Sequence, residues 1–339
     1  MKTRERLRAG LATTAVSALA LAWTLGSAPA AVAAVVIDWA TVGNAGNAAD
    51  TTRLGAVGYD YRVSKHEVTN AQYAAFLNAV AATDTNRLYK TIMAADRRGG
   101  ITRSGSPGSF TYAVKADMGN KPVNHVNWFD AARFSNWMTN GQGSGSTETG
   151  VYTLRGRLVL ATTRDTSDLS QVFLPNENEW YKAAYHQPSA EGGDSDGYWA
   201  YPTASNRRPT IARANATGDI RNAGVNVANY NSGADWNGLN GNVATVGSAG
   251  VGSESFYGTS DQGGNVWEWT ESRLASNFIL RGGSWSNFDL NMRSSNRILL
   301  SPSTANSQAG FRIASFIPEP ASLALLAAGA PLVLRRRRD

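Results

Sequence analysis

The sequence predicts an α+β fold with little regular secondary structure, and three observations predict it. Three short segments carry helix-capping signatures, at Thr69–Gln72, Asn127–Asp130 and Asn176–Glu179. Long Gly/Asn/Ser-rich stretches separate them, while Tyr59 to Val63 alternates like a strand. From Glu191 to Gly258 periodicity fades, leaving aromatic anchors at Tyr198, Trp199, Tyr201, Tyr230, Trp236, Phe256 and Tyr257. A structureless loop of that length is improbable inside a compact domain, so this region reads as irregular structure pinned by aromatics, with bound cations as further candidates.

The elements follow in chain order. Ile37-Asp38-Trp39 and a Gly/Asn-rich loop from Gly43 to Asp50 precede the first strand. Thr69 caps a helix starting near Asn70, whose buried face is Tyr73, Phe76, Leu77 and Val80. Lys121-Pro122-Val123 leads into a second helix, capped by Asn127 with Asp130 three residues on, burying Trp128, Ala131, Phe134 and Met138 and stopped by Asn140-Gly141. Leu174-Pro175 introduces the third, with Asn176 as cap and Trp180, Ala183 and Ala184 on its inner side.

Charge is concentrated at the ends. The formal charge is +6, but Lys2, Arg4, Arg6 and Arg8 at one end and Arg335 to Arg338 at the other account for most of it, leaving about +1 between them. The basic balance is therefore no sign of a nucleic-acid partner. Residues 1–33 read as a secretory signal peptide: a positive start, an apolar run from Leu11 to Leu25, and a small-residue cleavage site at Ala28-Pro29-Ala30 or Ala31-Val32-Ala33. The alternative, a retained membrane helix, is opposed by the shortness of the run. Signal peptidase is the implied partner, and an exported domain over residues 34–317 the implied product. That domain contains no cysteine, which removes disulfides, thiol nucleophiles and thiolate metal sites.

At the other end, Pro318-Glu319-Pro320, an apolar run from Ala321 to Leu334 and four arginines occupy residues 318–339. This order resembles the PEP-CTERM sorting signal. The resemblance implies an exosortase-type sorting machinery, membrane contact through the C-terminal segment before processing, and residence in the envelope or exterior of a Gram-negative bacterium. A plain C-terminal tail anchor is the alternative.

Glycine and tryptophan are densest between Asp261 and Arg312. The stretch reads Asp-Gln-Gly-Gly-Asn-Val-Trp-Glu-Trp-Thr (Asp261–Thr270), Arg-Gly-Gly-Ser-Trp (Arg281–Trp285) and Gly-Phe-Arg (Gly310–Arg312). Two indoles flanking the carboxylate of Glu268 suit a packed metal loop or a ligand pocket. They equally suit a tight turn feeding a buried strand, with Glu268 satisfied by backbone amides.

These landmarks, with Glu-Val-Thr-Asn-Ala-Gln-Tyr (Glu67–Tyr73), Lys-Pro-Val-Asn-His-Val-Asn-Trp (Lys121–Trp128), Leu-Pro-Asn-Glu-Asn-Glu-Trp (Leu174–Trp180) and Ala-Asn-Tyr (Ala228–Tyr230), resemble in order the formylglycine-generating enzyme, or sulfatase-modifying factor, family. The resemblance spans nearly the whole domain and implies an irregular α+β elaboration of the C-type-lectin-like fold. It also implies structural calcium at Asp261, the carbonyls of Gly264 and Val266, and Glu268, with a second ion at Asn229, the carbonyl of Tyr230, Asp235 and the carbonyl of Asn237. A hard cation takes several oxygen ligands of mixed side-chain and carbonyl origin, which these positions offer.

The family's copper chemistry is another matter. The two cysteines that the resemblance would place after Gly-Gly-Ser are Asn287 and Met292 here, and an amide with a lone thioether is no substitute for two thiolates on a soft ion. No copper is expected, and no catalytic residue is assigned. Trp267, Ser284, Trp285, Asn287 and Met292 remain as the candidate pocket. His66, His125 and His186 are scattered without metal-ligand spacing and read as hydrogen-bonded or surface imidazoles. The leading expectation is a non-catalytic envelope module for a polysaccharide or peptide ligand. Two others stand beside it: a divergent metal-dependent oxidoreductase of the family and a purely structural surface component.

Overall fold

The computed structural model describes residues 34–317, so the expected signal and sorting segments lie outside the described residues. The chain opens with strands β1 (Trp39–Val42) and β2 (Tyr61–Ser64), helix α1 (Asn70–Val80), a one-turn helix α2 (Ile92–Ala95) and a hairpin of β3 (Ile101–Ser104) and β4 (Thr111–Val114). Helix α3 (Trp128–Thr139), a second hairpin of β5 (Tyr152–Arg155) and β6 (Leu158–Thr162), β7 (Val172–Phe173) and α4 (Glu177–Tyr185) follow. The last third carries β8 (Thr210–Ile211), β9 (Val227–Ala228), β10 (Trp267–Leu274), β11 (Asn277–Arg281), β12 (Ile298–Leu300), β13 (Ala309–Gly310) and β14 (Ala314–Phe316).

All three capping signatures form. Thr69, Asn127 and Asn176 each accept from the backbone amide three residues on, and Gln72, Asp130 and Glu179 each reach back to the cap amide. Each cap thus satisfies two donors that a helix start leaves without partners. The strand expected over Tyr59 to Val63 is β2, which begins two residues later, at Tyr61, while the Asp60 side chain accepts from the Ala45 amide.

Two four-stranded sheets organise the rest, in the orders β1-β2-β14-β7 and β12-β11-β10-β13. The first is antiparallel throughout, with Val63 opposite Ala314 and Ala314 opposite Phe173. The second joins the β10–β11 hairpin to β13 by a short parallel pairing, Trp267 opposite Ala309. Aromatics fill the space under α1 and α3. Tyr73, Phe76, Phe134 and Phe311 meet with ring centroids 5.3–6.5 Å apart, and Trp128 lies 4.2 Å from Phe278. Rings in such offset and edge contacts contribute beyond the area they bury. Between Glu191 and Gly258 the backbone is irregular, as expected, and Tyr198, Tyr201, Tyr230 and Trp236 are its buried pins.

Candidate functional site

The Trp-Glu-Trp of β10 is buried throughout. Alternation along the strand sends Trp269 into the main core and Glu268 to the opposite side. Glu268 is fully buried, and its carboxylate is held by Arg312 through Nε at 2.5 Å and Nη2 at 2.7 Å, with the Trp180 indole donating at 2.7 Å. Arg312 spends its remaining donors on the carbonyls of Ser64, Lys65 and Ser260, which ties the end of β2 to the loop before β10. Burial pulls the Arg312 pKa down, but the Glu268 charge outweighs it and leaves the guanidinium above its usual range. Of the two local readings of Glu268, the turn-into-strand one describes the backbone, though an ion pair rather than backbone amides satisfies the carboxylate.

Glu67 faces the same charges without a partner. It is 1% exposed, and neither carboxylate oxygen meets a donor among the described residues. Burial, then the charges of Asp261 and Glu268, push its pKa well up. Asp261 holds a left-handed backbone (φ 62°) and accepts from the Gly247 amide at 2.5 Å, and burial raises its pKa to about 6. Three carboxylates therefore surround one guanidinium already committed to Glu268. Among the described residues no three His, Asp or Glu side chains suffice by themselves to hold a metal. A cation here would draw on main-chain oxygens as well, such as those of Gly264 and Val266. Gly264 must be glycine: its φ is 87°, and a Cβ would overlap the Asn229 carbonyl.

The second expected calcium group lies against this loop through a bridge between Asn229 and Gly264. Asn229 is buried, its Nδ2 donates to the Asn242 carbonyl at 2.9 Å, and its Oδ1 has no partner. That oxygen fits a cation. Asp235 is exposed and accepts from the Gly241 amide at 2.7 Å, the Tyr230 carbonyl accepts from the Gly233 amide, and the Asn237 carbonyl faces the Arg97 guanidinium.

After β11 the chain turns through Gly282 and Gly283, both at positive φ. Arg281 anchors this turn to the start of α4, with Nε and Nη2 on Glu177 at 2.9 and 2.5 Å and Nη1 on the carbonyls of Ser294 and Asn296. Ser284 is fully buried and donates to Asn287 Oδ1 at 2.6 Å. The Asn287 carbonyl accepts from the Asn231 amide, and the Trp285 carbonyl from that of Ser232. Arg98 stacks 4.2 Å from the Trp285 ring. Met292 is fully buried with Tyr201, Ala228 and Tyr230, and Trp267 belongs to the main core. The three apolar residues of the expected pocket, Trp267, Trp285 and Met292, thus belong to three different packing clusters. Ser284 and Asn287 are brought together, Met292 is buried against the Gly283 turn beside them, and Trp267 is enclosed in the main core.

Two of the histidines are hydrogen-bonded: His125 to Asp96 at 3.0 Å and His186 to the Tyr257 hydroxyl at 2.7 Å. The residues that sequence reasoning passed over are Glu67, read only as the lead-in to a helix, and Arg312, read only as a landmark. Both stood in quoted motifs, and their shared occurrence there was the available signal.

The family match and the solved structures agree with this fold. The sulfatase-modifying factor enzyme 1-like domain matches residues 41–317. The crystal structure of CarF superposes with a TM-score of 0.54 at 19% identity, covering 84% of this chain and 99% of that one. Treponema denticola variable protein 1 gives 0.46 at 18% identity (84% and 97% covered), and PvdO from Pseudomonas aeruginosa 0.43 at 17% (83% and 92%). At such identities CarF speaks for the fold alone, which is C-type-lectin-like. No curated protein matches the chain. With more than half its length matched by the domain, the chain belongs to the sulfatase-modifying factor enzyme 1-like family.

Proposed function

We propose that this family member is an exported, calcium-organised binding module of the cell envelope that lacks the copper oxidase chemistry of formylglycine-generating enzymes. The observation that carries the reading is the state of the two positions where that chemistry needs thiolates. Asn287 is engaged by Ser284, and Met292 is packed with its carbonyl accepting from Tyr185. Neither side chain can deprotonate to a soft anionic ligand. What supports export is the pair of terminal segments, one of signal-peptide form and one of PEP-CTERM form, which engage signal peptidase and an exosortase-type machinery. The ligand is an extracellular polysaccharide or peptide.

What supports calcium is the unpartnered oxygens of Glu67 and Asn229, since a buried carboxylate without a partner costs several kcal/mol unless a proton or cation compensates it. Asp261, Glu268, the carbonyls of Gly264 and Val266, and Glu67 hold one ion; Asn229, Asp235 and the carbonyls of Tyr230 and Asn237 hold the second. Calcium supplies positive charge to these loops and no redox step.

The test combines metal analysis of the full chain, purified without chelators, with an assay for aldehyde formation on a sulfatase-type cysteine peptide supplied with copper and oxygen. Bound calcium, a melting temperature lowered by chelator, and an unmodified peptide are expected. Aldehyde formation would overturn the reading, and stoichiometric iron or copper would favour the divergent oxidoreductase.

A further inference from the structure

A cavity of about 580 Å³ lies at the start of α3, far along the chain from the Gly-Gly-Ser turn, and its charge is one-sided. Arg87, Lys90, Arg133 and Arg157 line it, against the single carboxylate of Asp130. That carboxylate is occupied, since Asp130 Oδ2 lies 2.8 Å from Lys90 Nζ and also accepts from the Asn127 amide. Between its terminal segments the chain carries only about +1, so this concentration of cations is local.

Two of the cations, Lys90 and Arg133, are held in ion pairs, and the backbone places the other two, Arg87 and Arg157, at the cavity. Arg133 is buried on α3, with Nε and Nη2 on Glu148 at 2.5 and 2.9 Å and Nη2 also on the Gly156 carbonyl at 2.7 Å. Its Nη1 has no partner among the described residues. Arg157 stands in the two-residue turn between β5 and β6, exposed and without an ion pair among those residues. Arg87 is exposed as well, held at φ 54° in a loop whose following amides, Leu88 and Tyr89, are both bonded to Asp84. Holding a non-glycine residue left-handed costs on the order of 1 kcal/mol, so this loop fixes where Arg87 stands. The positive end of the α3 dipole adds to the same field.

We propose that this cavity binds an anionic oligosaccharide, sugar units bearing carboxylate or sulfate groups. Guanidinium forks match both anions, and Arg87 and Arg157 have theirs free of ion pairs among the described residues. Thr85, Asn86 and Asn127 add neutral hydrogen-bonding groups suited to hydroxyls. The cavity lies within the size range of small-ligand clefts, roughly 300–1,000 Å³. Its one aromatic, Phe129, is 3% exposed, which offers no platform for stacked bases. The proposal rests on the binding-module reading and gives it a place and a ligand class.

The test uses the full chain in fluorescence-anisotropy titrations at two salt concentrations. Labelled probes are tetragalacturonate, a heparin tetrasaccharide, neutral maltotetraose and a short oligothymidylate. The Arg87→Ala/Arg157→Ala pair is compared with Arg208→Ala/Arg213→Ala, which removes equal charge from a second cavity lined by Arg208 and Arg213. At least one charged sugar should bind, more weakly at higher salt, and lose about tenfold in affinity in the first pair but not the second. The stronger of the two charged probes identifies the anion. Equal losses in both pairs, tighter binding of oligothymidylate, or no binding of either charged sugar would overturn the proposal. Sugar binding untouched by the Arg87/Arg157 change would sink this site alone and leave the binding-module reading standing.

Discussion

Arg312 uses every donor it has inside the protein: two on Glu268 and the rest on three main-chain carbonyls. Such a residue is structural in the strict sense that removing it would strand a buried carboxylate. His186 is enclosed too, with neutral hydrogen-bond partners. It is 4% exposed, stacked on Tyr257, with Nδ1 on the Tyr257 hydroxyl and Nε2 toward Asn44. Burial, reinforced by the Lys182 charge, lowers its pKa to about 4. The imidazole is thus neutral in the folded protein while an unfolded chain takes up a proton near pH 6.5. Its contribution to stability is complete above pH 6.5 and is lost as pH falls from there toward 4. Chemical denaturation at pH 7 and pH 4.5 should show a pH-dependent loss about 2 kcal/mol larger in the wild type than in His186→Gln, whose amide carries no titratable proton. Equal losses would mean that the imidazole charges in place.

At the scale of elements, the three capped helices were legible in the sequence, while the one-turn α2, which has no side-chain cap, and most strands were not. A capping box lies within four consecutive residues, so Asn176 and Glu179 announce α4 without reference to anything distant. The same locality makes the cap testable: Asn176→Ala should cost about 1 kcal/mol in denaturant titration, and an unchanged midpoint would mean that tertiary packing alone sets the start of α4. Strands of two to five residues carry no such signature. The β3–β4 and β5–β6 hairpins passed unread, and β13 and β14 exist only because β10, β2 and β7 pair with them across long stretches of chain. The loop at Asp261 was visible as a glycine-rich motif, but its charge balance was not. Glu67 lies almost two hundred residues before Asp261, and Arg312 about fifty after, so only the fold reveals which carboxylates share which guanidinium.

For the whole molecule, the consequence of that pairing is that the domain is closed by its own last strand. β14 lies between β2, near the start of the described residues, and β7, with Ala314 and Ser315 fully buried and Phe316 4% exposed. Phe316 packs 4.8 Å from Phe173 of β7 and 5.8 Å from Tyr59, which precedes β2. Removing it forfeits about 3–5 kcal/mol of burial, and losing the strand also strips hydrogen-bond partners from β2 and β7. Against a total stability of roughly 5–15 kcal/mol, that combination is enough to undo cooperative folding. A chain ended after Ile317 should therefore show a single cooperative thermal transition, and one ended after Ile313 should not. If both melt alike, the first sheet closes without β14 and the folding of the domain is governed by the β10–β11 hairpin instead.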